Sequence, residues 1–352
     1  MPNWYCGREA VKNTATIAGS DQDAKVDRII EAMSRKFDKD CGRRPGNFLP
    51  HTETRLFPWP PYMSGTGWRL WIETYDLLSV TALLTKAQDS SPTTIASADY
   101  FLEPNVGAPY NRIEIDLSSS SAFEGGETSQ RSISVAGSWG RSNDTEAAGA
   151  LAEDLTASET AVDVTDASLI EVGDTLLVDS EQMFVSERAL LDTTANMTTS
   201  LTAAKSGTTV AVNDGTLVKQ GEVISIESER MYVESISGNN LTVIRAYDGS
   251  TLAAHTQPID VYAYRTMTCT RGQNGTTAAT HSSAAAISRY RPPLDVMEAV
   301  LASSVVQFTQ GQAAFGRVVG TGDAQREYTG KAMRDLWSCA VSNHKRWRNG
   351  AI

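Results

Sequence analysis

Reactive side chains are scarce in this sequence. Four cysteines (Cys6, Cys41, Cys269 and Cys339) lie far apart with no CxxC pair. That spacing supports neither a zinc site nor a disulfide framework and leaves buried free thiols as the expectation. Histidine is equally rare, at His51, His255, His281 and His344. No glycine-rich phosphate loop, GxSxG elbow or HExxH helix occurs, so the expectation is a non-enzyme with no cofactor and no bound metal. No apolar run approaches the roughly 18 residues that span a bilayer, so no membrane partner is expected. The opening MPNWYCGREAVKNTAT lacks a basic-then-apolar leader pattern, which predicts a chain made and kept in the cytosol.

Charge is present but lopsided. The net of −11 is spread unevenly: 15 basic against 19 acidic residues in 1–146, 9 against 18 in 147–291, and 7 against 5 in 292–352. An acidic middle opposes clamping of nucleic acid by phosphate neutralisation. It suits a surface that DNA slides past, and equally an ordinary soluble surface.

What the chain does have is a repeat at two offsets. At 26 residues, Thr242, Arg245, Gly249, Thr251, Ala253, His255, Tyr264 and Arg265 fall on Thr268, Arg271, Gly275, Thr277, Ala279, His281, Tyr290 and Arg291. At 48 residues, Gly173, Ser180, Glu181, Met183 and Val185 meet Gly221, Ser228, Glu229, Met231 and Val233. Two offsets exclude a simple tandem array. They predict one module (147–200 and 266–291) interrupted by a complete copy of itself (201–265), a device that builds shape.

Three styles of sequence alternate along the chain. Ser20 offers an N-cap, and Val26, Ile29, Ile30, Met33 and Phe37 recur at helical spacing before Gly42. A Pro/Gly/aromatic stretch follows, in which Leu70/Ile72 and Leu78/Val80 alternate as strands do. Ile113, Ile115 and Leu117 alternate with Arg112, Glu114 and Asp116, and 132–140 returns as a strand. From 147 to 291, Thr/Val-rich runs of four to seven residues between Gly-Asp, Gly-Asn-Asn and Asp-Gly turns predict β structure throughout. After Pro292-Pro293, the residues Val296, Met297, Val300, Leu301, Val305 and Phe308 predict a helix. A Gly-rich linker (311–330) leads to a last helix with Met333, Leu336, Trp337, Ala340 and Val341 on one stripe. The expected fold is therefore α+β: a small helical bundle with a β hairpin, from which a large all-β insertion of two related modules projects.

Candidate site residues are few. His255 and His281 share a Gly-x-Thr-x-Ala-x-His segment, so duplication explains both, and each is expected to fix a turn. Glu181, Glu227 and Glu229 lack the Asp/Asn/Gly loop of a calcium site. Trp59, Tyr62, Trp68 and Trp71 could stack sugars or bases, with packing the simpler expectation. The basic tail residues His344, Lys345, Arg346, Trp347 and Arg348, together with Trp337, stand out in an acidic chain as a docking segment.

Three stretches resemble the head–tail connector (adaptor) proteins of tailed bacteriophages: the first helix with CGRRPGNFLPHTETRLF, the segment LLSVTALL…DYFLEPNVGAPYNRIEI closed by SVAGSWG, and the closing helical pair ending in Lys-Arg-Trp. The resemblance covers 1–146 and 292–352, read as one discontinuous helical connector domain. It implies a homo-oligomeric ring of about twelve copies in the virion neck, assembled in the host cytoplasm. The implied partners are a portal protein above, a tail or neck protein below, and genomic DNA passing without sequence-specific binding. Trp337, His344, Lys345, Arg346, Trp347 and Arg348 are then the expected portal-binding residues. The insertion departs from the family and resembles small β modules of tail and baseplate proteins. It keeps open the alternative of a module that binds a glycan or host surface.

Overall fold

A computed structural model describes residues 3–60, 67–72, 75–312, 318–319, 326–327 and 331–346. Three antiparallel sheets containing 17 strands dominate it, there are four α-helices, and 22% of it is helical. The expected helical bundle with a β insertion is therefore overturned: the chain is mainly β. The error lies in the first 146 residues, where short alternating runs between prolines build two sheets of their own rather than one hairpin.

The helices bury apolar residues against one another. They are α1 (Arg8–Ala15), α2 (Asp23–Asp40), α3 (Leu294–Gln312) and α4 (Lys331–His344). Val11, Val26, Ile30, Phe37, Val296, Val300, Phe308 and Ala340 share a core with Trp4, Tyr5 and Phe48. Ser20 does not cap α2, which starts at Asp23 without any side-chain cap.

Strands β1 (His51–Phe57), β2 (Arg69–Trp71), β3 (Leu77–Thr85), β4 (Thr93–Ile95), β5 (Tyr100–Glu103), β6 (Arg112–Ile115) and β7 (Ile133–Trp139) follow α2. They form a four-stranded sheet ordered β1-β7-β3-β4 and a three-stranded sheet ordered β2-β6-β5. Phe57, Trp59, Leu70, Ile113 and Trp139 pack between them. Only glycine fits at position 137, because a Cβ there would lie 2.0 Å from the Ser79 carbonyl oxygen. Leu117 leaves the alternation of β6 and is 70% exposed. The Asp116 carboxylate accepts from the Ser118 N–H at 2.9 Å and turns the chain away there.

The third sheet has ten strands: β8 (Thr145–Ala150), β9 (Ala161–Asp163), β10 (Thr175–Val178), β11 (Glu181–Met197), β12 (Thr209–Ala211), β13 (Val223–Ile226), β14 (Glu229–Ser237), β15 (Asn240–Ile244), β16 (Ile259–Thr270) and β17 (Ala286–Tyr290). Its spine is the pairing of β11 with β16, from Phe184–Thr270 to Met197–Ile259. These strands have 17 and 12 residues, longer than the runs the sequence suggests, because each passes through two cores. One core takes residues from 148–185 and 267–287, and the other takes residues from 195–263. A register shift between Ala189 and Leu191 marks the passage from one to the other.

The modules do not project from the helical part. Val172 and Phe184 belong to the helical core, with the Phe184 ring edge-on to Trp4 at 5.4 Å.

Candidate functional site

Each module contains one buried carboxylate gripped by an arginine fork and a histidine. Glu229 opens β14, just after the β13–β14 turn. Arg245 donates from Nε and Nη2 to its two oxygens, both at 2.7 Å. The N–H groups of Ala246 and Ala253 donate to the same carboxylate at 3.0 and 3.1 Å, and His255 Nε2 lies 2.8 Å away. The outer module repeats every contact. Arg271 reaches Glu181 at 2.7 Å twice, Gly272 and Ala279 donate at 3.0 and 2.9 Å, and His281 Nε2 lies at 2.9 Å.

The other nitrogen of each ring meets a second acid, Glu227 at 2.8 Å from His255 and Asp179 at 2.7 Å from His281. Both acids sit in the left-handed region, at φ 51° and 52°. Each ring thus has a carboxylate oxygen within hydrogen-bond distance of both its nitrogens. Burial pushes Glu229 and Glu181 upward, but the arginine fork, the histidine and the backbone N–H groups outweigh it and hold both near 2. A carboxylate with every oxygen engaged locks a loop rather than performing chemistry. A third pair, Arg265 on Glu222 at 2.7 Å twice, sits where the modules meet, since Glu222 also accepts from the Ala167 N–H at 3.0 Å.

Equivalent turns dock both modules onto the amino-terminal part. In the inner module, Asp248 accepts from the Gly19 N–H at 3.1 Å, and the Tyr247 hydroxyl donates to Asn13 at 2.9 Å. In the outer module, Asn274 and Asn3 exchange side-chain hydrogen bonds at 3.0 and 3.1 Å, and Asn274 also donates to Gln182 at 2.7 Å.

Acidic groups also meet at α1. Glu171 accepts from the Ala10 N–H at 3.2 Å, and Glu9 accepts from the Val172 N–H at 2.9 Å. Burial, aided by Asp174 and Glu9, raises Glu171 to about 7. Burial lifts Asp174 to about 6 against the pull of Arg289.

The expected portal-binding residues divide. Trp337 is tied to the chain's own core, edge-on to Phe37 at 5.1 Å and donating to Asp40 at 3.0 Å. His344 is buried against Phe48 and bonded to Asp295 at 2.9 Å, and Arg346 reaches Asp76 at 2.8 Å. Lys345 and Leu336 are exposed, whereas Trp347 and Arg348 lie outside the described residues.

The aromatic candidates divide too. Trp59 is buried against Phe123 at 4.9 Å, Trp71 is exposed, and Tyr62 lies outside the described residues. Cys6, Cys41 and Cys269 are buried, with Cys41 and Cys269 pushed up to about 12 by burial, and Cys339 is exposed.

Sequence reasoning missed a cleft of about 640 Å³ between α1 and the two modules, lined by Tyr232, Tyr247, Tyr264 and four ion-paired cations. Among the described residues, no helix is long and apolar enough to cross a membrane. Comparison with family models, curated proteins and solved structures finds no match to this chain.

Proposed function

We propose that this chain is a virion structural protein, a head-to-tail adaptor that forms an oligomeric ring between the portal and the tail of a tailed bacteriophage. The observation that carries the reading is an exposed sheet face that sets two aromatics among paired charges. On the three-stranded sheet, Leu70, Ile113 and Ile115 point inward, while Phe101 and Trp71 point outward at 54% and 37% exposure. Val106, 91% exposed in the β5–β6 connection, and Leu117, exposed just after β6, are two further uncovered apolar residues of this part of the chain. Between the aromatics lie Arg69 and Arg112, paired to Glu114 at 3.0 and 2.6 Å. Aromatics beside arginines, with charge already neutralised, make the composition of an interface core. A head-to-tail contact of this kind closes into a ring when its rotation divides the circle.

In this reading the acidic modules repel DNA passing through the ring, and the portal is met by the exposed side of α4, including Leu336, and by Lys345 just after it. Trp337, His344 and Arg346 hold α4 in place. The test is light scattering with negative-stain imaging of the purified chain, alone and with portal. Rings that Phe101→Asp reduces to folded monomers support the proposal. A monomer at every concentration, with no attachment to portal, overturns it.

A further inference from the structure

The cleft beside α1 is built from three parts of the chain. One wall is α1, the second comes from 167–171 and β11 of the outer module, and the third is the β13–β14 hairpin with the turn at Tyr247. Its volume of about 640 Å³ falls within the range of small-molecule sites.

Its charges are matched before any ligand arrives. Arg8 pairs with Asp27 at 2.6 Å and Glu187 at 2.8 Å, and Lys12 pairs with Asp23 at 2.9 Å. Arg188 pairs with Glu9 at 3.4 Å, and Arg230 pairs with Asp248 at 2.5 Å. Glu222 and Glu227, also on the wall, are held by Arg265 and His255. Among the described residues, a phosphate or sulfate finds no free cation here, and no group of three His, Cys, Asp or Glu side chains is placed to hold a metal.

What remains is a dense mixture of donors and acceptors. A guanidinium offers five N–H groups and a carboxylate about four lone-pair positions. Each ion pair therefore presents a donor beside an acceptor, the pattern that two neighbouring hydroxyl groups match. The apolar part of the wall is aromatic. Tyr232 and Tyr247 stack at 5.5 Å with 29° between planes, and Tyr264 lies on the wall beneath Arg188 at 6.0 Å. All three rings are half-buried, held in place with part of each surface open.

From this combination we propose that the cleft is a binding site for a neutral, polyhydroxylated ligand, a short uncharged oligosaccharide. The proposal does not depend on the adaptor reading. In that setting it would give each copy of the ring one saccharide site, between α1 and the two modules.

The test titrates the full-length chain by calorimetry with maltotriose, cellotriose and chitotriose, with free glucose, and with a sulfated heparin trisaccharide. Saturable binding of a neutral trisaccharide, weakened about tenfold (1.4 kcal/mol) or more by Tyr264→Ala, supports the site. Tyr232→Ala is the second variant, and an unchanged unfolding midpoint in either separates loss of contact from loss of fold. Tighter binding of the trisaccharide than of glucose assigns the site to chain glycans rather than free sugar. No saturable binding of any neutral saccharide overturns the proposal, as does preference for the sulfated probe or binding that both tyrosine variants leave intact.

Discussion

Arg245 and Arg271 stand at the same place in two nested modules, each forked onto a buried glutamate with both N–O distances at 2.7 Å. Each also donates to the carbonyl of an equivalent alanine, Ala253 at 2.6 Å and Ala279 at 2.7 Å. One sequence solution thus closes two loops, and the loops it closes carry the turns that dock on the amino-terminal part.

The first prediction concerns that fork. Glu229→Gln leaves the fully buried Arg245 without its counter-charge, which should cost about 3–5 kcal/mol. Glu181→Gln should cost the outer module a similar amount. Replacing the pair by Glu229→Leu with Arg245→Met should not restore stability, because the N–H groups of Ala246 and Ala253 lose their acceptor. Denaturant unfolding of the three variants measures this. A double variant as stable as the parent would show that the backbone donors contribute nothing.

pH should act in opposite directions at two places. Glu181 and Glu229, held near 2 in the folded chain, bind fewer protons there than when unfolded. Their contribution is present above the ordinary carboxylate range and is lost as pH falls toward 2. Glu171, raised to about 7, and Asp174, raised to about 6, bind more protons folded than unfolded. Their contribution is present in acid, below the ordinary carboxylate range, and is lost as pH rises through 6 to 7. Since burial and the like charges of Asp174 and Glu9 oppose ionised Glu171 and Glu9 lies on α1, α1 should loosen in that second window. Hydrogen exchange at Ala10, corrected for intrinsic rate, should show less protection at pH 8 than at pH 5, and Glu171→Gln should abolish the difference. Equal protection at both pH values in the parent chain would refute the coupling.

The repeat was legible because turn and network residues recur at fixed offsets: 26 aligns Arg245 and His255 with Arg271 and His281, and 48 aligns Glu229 with Glu181. The same offset aligns Glu227 with Asp179 and Glu222 with Asp174, yet a carboxylate partner is not named by spacing alone. The helices were legible from period 3.6, as Val26, Ile30 and Phe37 illustrate. Strands at 70–72, 78–80, 112–117 and 132–140 were legible in the first 146 residues, but the two sheets they build with their neighbours were not. Strand β1, HTETRLF, is an edge strand with mostly polar, half-exposed positions, so it carries little hydrophobic alternation. Docking of the modules was also hidden, since it rests on single long-range contacts such as Asn3 with Asn274.

Docking gives the third prediction. Gly275, at φ 81°, would place a Cβ 2.0 Å from the Thr52 carbonyl oxygen, whereas Gly238, at φ 59°, has nothing within 4 Å. Gly238→Ala should cost about 1–2 kcal/mol for its left-handed backbone alone. Gly275→Ala should cost more, because it also drives the outer module off β1, and it should expose the Asn3–Asn274 contact to solvent exchange. Thermal unfolding of both variants decides. Equal losses would mean that the turn does not press on β1.

The last prediction concerns the nesting. Ala189 on β11 pairs with Thr266 on β16, immediately before the register shift that leads into the second core. The break in the structure therefore lies at 190–265, earlier than the 201 suggested by the repeat. Replacing 190–265 with an Asn-Gly turn should join two strands already in antiparallel register. The remaining core, from Ala148 to Val185 and from Met267 to Ile287, is closed by its own Glu181–Arg271–His281 network. The deletion removes Arg265, Glu222 and the Tyr247 contact with α1, so a lower midpoint is expected. Cooperativity should survive, because no residue of the inner core contributes to the outer one. Circular dichroism and amide spectra of the shortened chain would show a single sharp transition and dispersed β signals. A broad, non-cooperative transition would mean that the ten strands are one folding unit, with the inner module as part of its foundation.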